Sequence, residues 1–228
     1  MIVDLPLLLL GIALLWFPRH WMRRGVALLK RRKRSASSDR ITEPWKDREP
    51  GDPKVNLRVE FAKFRNYLDL LRGLAGSVVI WGGREIAPAI AAELGAPKSV
   101  IYQVLGLRCA ILLIGLLIQA VRIEKQRVSF YPPIFFLSGL SIGLCGYKAA
   151  AFAFVLIWSI NAAVSNAQAF LTLYAVLQVA FAYFLSKNGI VQMGLAGLLT
   201  FLPVLLSLMA SRPLMIFTRR GSRSPKPA

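Results

Sequence analysis

Between residues 99 and 121 the chain carries a single charged side chain, Arg108, in 23 positions. A helix of that length is long enough to cross the roughly 30 Å hydrocarbon core of a bilayer. Apolar runs at 5–17, 132–160, 167–185 and 190–210 repeat the pattern, and a shorter one at 73–83 lies between Arg72 and Arg84. A soluble domain would rarely combine 56% hydrophobic residues with a net charge of +18. The expected fold is therefore an all-α, polytopic membrane bundle of about five to seven spans with a basic cytoplasmic arm.

The basic residues are unevenly placed, and they divide the chain. Of the 29 Lys and Arg residues, 16 fall within 19–72, which predicts a cytoplasmic segment by the positive-inside rule. Residues 1–18 read as a retained membrane anchor, since the charge follows the apolar run and no cleavage site of small residues is present. Residues 19–72 read as a basic arm, 73–211 as the bundle and 212–228 as a basic tail. Within the arm, Arg31, Arg32, Lys33 and Arg34 are candidate contacts for anionic lipid or a partner protein. A Pro-rich, charged linker follows. Then Leu57, Phe61, Phe64, Leu68 and Leu71 recur at helical spacing, which puts Phe61 and Phe64 on one apolar face suited to lipid or a partner. No nucleic-acid module accompanies the charge, so nucleic acid is not an expected partner.

Lys148 divides the run 132–160 and decides the topology. If 73–93 spans and the chain turns back at Lys148, 24 Lys and Arg fall on the cytoplasmic side and 4 outside. A single span through 132–160 gives 20 against 7, or 23 against 4 when 73–93 is interfacial. Charge does not separate the first arrangement from the third, but energy does. An unbroken helix would run to roughly 40 Å and leave Arg108 and Lys148 in hydrocarbon, at about 2.5 to 3.5 kcal/mol each. The expectation is a hairpin turning at CGYK, with a buried Lys148 as the alternative.

Side chains able to do chemistry are scarce. The one histidine, His20, lies in the basic stretch, and no Asp or Glu occurs beyond Glu124. Cys109 and Cys145 have no ligand-like spacing, so no catalytic, metal or cofactor site is expected. Arg108 is the leading intramembrane candidate, either for an anionic ligand or as a structural charge, with Asp69 or Glu85 as possible counter-ions. Asn161, Asn166, Gln168 and Gln178 form the richest neutral polar set, suited to a substrate path or to hydrogen bonds between helices. Gly139 and Gly143 have the GxxxG spacing that lets helices approach closely.

The stretch LDLLRGLAG, residues 68–76, resembles the LDxLRGxA entry to the first span in the large integral-membrane acyltransferase family. That resemblance covers about nine residues and implies a catalytic histidine on early helices and about twice as many spans. No histidine follows His20 here, so the activity is not carried over. The first expectation is a non-enzymatic bacterial inner-membrane subunit, scaffold or assembly factor, in contact with a membrane-protein partner or a second copy. A transporter or flippase for a hydrophobic or anionic, lipid-phosphate-like substrate using Arg108 is the alternative, and a membrane-bound transferase comes third. The sequence leans away from an enzyme without excluding one.

Overall fold

A computed structural model describes residues 5–18, 54–81, 98–124, 127–185, 189–212 and 214–215. The described residues are mostly helical: α1 Leu5–Trp16, α2 Leu57–Phe61, α3 Phe64–Trp81, α4 Lys98–Ala120, α5 Ile134–Cys145, α6 Tyr147–Ser159, α7 Ala167–Leu185 and α8 Ile190–Met209. Three stretches are long and apolar enough to cross a membrane: Tyr102–Ala120 in α4, and α7 and α8. Helices α1, α5 and α6 are apolar but shorter. The loop after α4 departs from the all-helical expectation. It forms an antiparallel hairpin of β1 Val121–Glu124 and β2 Arg127–Phe130, with Val121 opposite Phe130.

Helix α5 is the centre of the bundle, with ten of its twelve residues buried. Its contact with α3 is the most extensive between any two helices described, and small residues explain why. A Cβ added at Gly139 would run into the Leu70 carbonyl oxygen and come within 2.7 Å of the Leu74 nitrogen. One at Gly73 would meet the Phe136 carbonyl oxygen, and one at Gly143 the Ser77 hydroxyl. The two backbones touch at these points, so Gly73, Gly139 and Gly143 have no room for a side chain. The pairings Tyr67 with Phe135, Gly73 with Phe136 and Leu140, and Ser77 with Gly143 make α3 and α5 parallel. Helix α1 runs antiparallel to α3, with Gly11 against Ile80 and Leu15 against Gly76.

Helices α5 and α6 form a hairpin. The Phe135 ring, near the start of α5, lies 6.0 Å from that of Trp158, near the end of α6. In one continuous helix those residues would be about 35 Å apart. The reversal occurs at Gly146, whose φ of 81° and ψ of 154° lie in a region open to glycine. Lys148 is exposed in the first turn of α6.

Helix α3 runs unbroken from Phe64 to Trp81, across residue 72. One expectation about the arm changes. The apolar face drawn through residues 57–71 is broken, because the helix is interrupted at Ala62 and Lys63. There the Asn66 amide donates to the Glu60 carbonyl (2.8 Å) and carboxylate (2.7 Å). Phe61 and Phe64 therefore do not share a face. Phe61 packs edge-on to Phe135 and Trp158 at 5.2 and 5.0 Å, whereas Phe64 is 73% exposed.

Several segments converge at one end of the bundle. Lys54 Nζ donates to the Ala162 carbonyl (2.6 Å) and Asn161 to that of Val55 (3.0 Å). Tyr131 N–H donates to Ala120 (2.7 Å) and Met215 N–H to Phe130 (2.8 Å). The aromatic pair Phe130 and Tyr131 is buried at this junction. The seam gives a direct test by thermal unfolding in detergent. Gly139→Leu should cost about 1–3 kcal/mol by forcing the backbones apart. Gly194→Ala, which adds a Cβ into open space, should leave the midpoint unchanged or raise it.

Candidate functional site

The described residues hold their most polar buried cluster where α1, α3, α4 and α5 meet. It arises because α3 turns its polar and small residues inward: Asn66, Asp69, Arg72, Gly73, Gly76 and Ser77 are buried, while Phe64, Tyr67, Leu71 and Val78 face outward. In water an amphipathic helix would place these faces the other way. Arg72 is 8% exposed and Asp69 is fully buried.

The guanidinium of Arg72 lies 3.4 Å from the Asp69 carboxylate, and its Nη1 donates to the Phe17 carbonyl at 2.5 Å. Its Cζ sits 5.4 Å from the centroid of the Phe136 ring. From α4, the Gln119 amide donates to the carbonyls of Leu15 (3.2 Å) and Phe17 (3.1 Å). The indole N–H of Trp16 returns a bond to the Ile111 carbonyl (3.0 Å). A helix C-terminus leaves carbonyls without intrahelical partners and carries partial negative charge. Here the end of α1 receives one cation and one amide, so the cluster caps a buried helix end and joins four helices.

Arg108 lies elsewhere, half-buried on α4, with its Cζ 5.9 Å from the centroid of the Trp81 ring. Asp69, one counter-ion considered for it, instead pairs with Arg72; Glu85 is outside the described residues, as are Arg31, Arg32, Lys33 and Arg34.

The neutral polar set is dispersed. Asn161 bonds to Val55, and Asn166 Oδ1 accepts the N–H of Ala169 (2.8 Å) at the start of α7. Gln168 donates to Ser207 Oγ (3.1 Å), and Gln178 Oε1 accepts from Thr200 Oγ1 (2.7 Å), both between α7 and α8. The Tyr174 hydroxyl donates to Ser138 (2.9 Å), tying α7 to α5. These bonds are made at separate helix contacts and at a loop and a cap. Gly139 and Gly143 serve the seam between α3 and α5 within the chain.

Sequence reasoning missed the Asp69–Arg72–Gln119 cluster. The available signal was the i, i+3 pair Asp69 and Arg72 with Gly73 and Gly76 beside it, opposite an apolar face. Among the described residues no group of three or more His, Cys, Asp or Glu side chains could hold a metal ion. Comparison of the chain with protein-family models, curated proteins and solved structures gives no match. The residues that resemble the acyltransferase segment are occupied in capping α1 and packing α3 on its neighbours.

The ion pair makes a sharp prediction. Arg72→Met alone removes the guanidinium from beside the buried Asp69 carboxylate and should cost about 3–5 kcal/mol of stability in detergent. Adding Asp69→Asn should recover a large part of that loss, because the carboxylate that faced Arg72 is gone. A loss in the double variant equal to the sum of the two single losses would show that the two side chains act independently.

Proposed function

We propose that this chain is a non-enzymatic, polytopic inner-membrane subunit, scaffold or assembly factor, whose basic cytoplasmic side engages a partner protein or anionic lipid. The observation that carries this reading is the convergence at one end of the bundle. Phe17 and Lys54, which flank the basic stretch 19–53, both belong to that end, as do the hairpin after α4, the loop 160–166 and Leu214. In sequence, 24 of the 29 Lys and Arg lie in 19–72, 122–127 or 212–226, segments that include or adjoin those residues. Such segregation suits a cytoplasmic face. A further support is the use of the buried polar side chains in bonds between helices, which leaves the exposed helix faces and the basic end as the surfaces for contact.

A transporter or flippase is the second reading, favoured by one observation: Arg108 is half-buried against Trp81 within the stretch Tyr102–Ala120. A charge at that depth is costly unless it serves a ligand or a structural bond.

Two measurements separate these readings. Purified in mild detergent, the full chain should bring down a stoichiometric partner protein, and removing residues 20–52 should abolish its recovery. A lone, monodisperse protein counts against the subunit. In proteoliposomes Arg108→Ala should leave the fold and any partner binding intact; loss of substrate flux in that variant would favour the transporter.

A further inference from the structure

Helix α8 contains a proline, Pro203, on its buried side. The proline ring carries no N–H, so the carbonyl of Leu199, one turn earlier, receives no donor from its own helix. Water would solvate such a carbonyl at a surface. In the interior of an apolar helix long enough to cross a membrane, the donor has to come from a neighbouring helix, a hydroxyl or a bound water. The next residue, Thr200, is buried and faces α7, where its hydroxyl donates to Gln178 Oε1. The break in α8 is therefore enclosed by the bundle.

The hydroxyl groups nearby have already committed their hydrogens. Thr200 donates to Gln178 (2.7 Å), Tyr174 to Ser138 (2.9 Å), Ser138 to the Ile134 carbonyl (2.8 Å) and Ser141 to the Leu137 carbonyl (2.8 Å). None of the four is left for Leu199. The remaining donor is the amide of Gln178, a fully buried side chain whose Nε2 makes no hydrogen bond of ordinary geometry. The Tyr174 hydroxyl lies within range of that side chain, but a single oxygen beside it leaves the second of the two amide hydrogens without an acceptor. An unused donor and an unused acceptor thus belong to one contact between α7 and α8, and each is costly to leave so.

We propose that one water molecule is bound at the junction of α5, α7 and α8, accepting from Gln178 Nε2–H and donating to the Leu199 carbonyl and the Tyr174 hydroxyl oxygen. Buried waters make about three hydrogen bonds, to groups that the protein leaves unpaired. Tyr174 Oη is open to accept, because its own hydrogen goes to Ser138. Helices α5, α7 and α8 carry no charged residue, so an ion would meet no counter-charge, whereas a neutral molecule that both donates and accepts matches every partner. The water joins the pair Thr200–Gln178 to the pair Tyr174–Ser138, which ties the break in α8 to α7 and α5. This site is independent of the subunit and transporter readings.

The test uses the full chain, deuterated at carbon and isotope-labelled at the glutamine side-chain nitrogens, in phosphatidylcholine vesicles with deuterated acyl chains. Magic-angle-spinning NMR reads the magnetisation that passes from water protons to each glutamine amide group, and Gln178→Leu identifies the Gln178 signal by its loss. The Gln178 amide should receive magnetisation from water. That transfer should fall several-fold in Pro203→Ala, which returns to the Leu199 carbonyl its helical donor and so removes the water's anchor on α8. Transfer to Gln192, half-buried near the start of α8, should stay the same. A Gln178 amide that receives nothing from water in the unmutated chain overturns the proposal, and so does transfer unchanged by Pro203→Ala. An equal fall at Gln192 overturns it too, because the loss would not be local to the site.

Discussion

The backbone contact between α3 and α5 is the constraint on which the remaining packing depends. Gly73, Gly139 and Gly143 bring the helices together until a single added carbon would strike main-chain or Ser77 atoms. In lipid the hydrophobic effect does not drive helices together, so close packing and interhelical hydrogen bonds must do so. The seam supplies the packing, and it fixes where everything else goes. Because α5 is held against α3, its other sides are left for α6, α7 and α8. Because α3 is held against α5, Asp69 and Arg72 are carried to the end of α1.

Much of this architecture was legible from composition. Runs of apolar residues gave α4, α7 and α8 to within a residue or two, since a span needs length and lacks charge. The reversal between α5 and α6 follows from similar arithmetic, as one helix from 134 to 160 would outrun the bilayer. The orientation of α3 was less accessible. Periodicity assigns Leu57, Phe61, Phe64, Leu68 and Leu71 to one stripe, but it does not say which medium that stripe meets. The break at Ala62 and Lys63 splits the stripe, and Phe64 and Leu71 turn outward while the polar side of α3 is enclosed.

The candidate site was harder still, because its members come from distant parts of the chain and none is unusual alone. Gln119 is a lone amide near the end of an apolar run, and Phe17 contributes only a carbonyl oxygen. Asp69 and Arg72 are visible as a pair, yet a pair at that spacing is common on any helix surface. Only the three-dimensional arrangement turns them into a buried helix cap. The dispersal of Asn161, Asn166, Gln168 and Gln178 has the same origin, since nearness in sequence placed them on different partners.

The cap on α1 also bears on the order in which the protein is made. Its two donors lie 55 and 102 residues beyond Phe17, so α1 is synthesised before the groups that complete it. Until α3 arrives, the carbonyl of Phe17 must be satisfied by water or by headgroups, which keeps that end of α1 near the membrane surface. Arrival of Arg72, and later of Gln119, replaces those solvent bonds and lets the end be enclosed. The end of α1 is thus completed only after α3 and α4 have been made, by donors that lie outside its own segment.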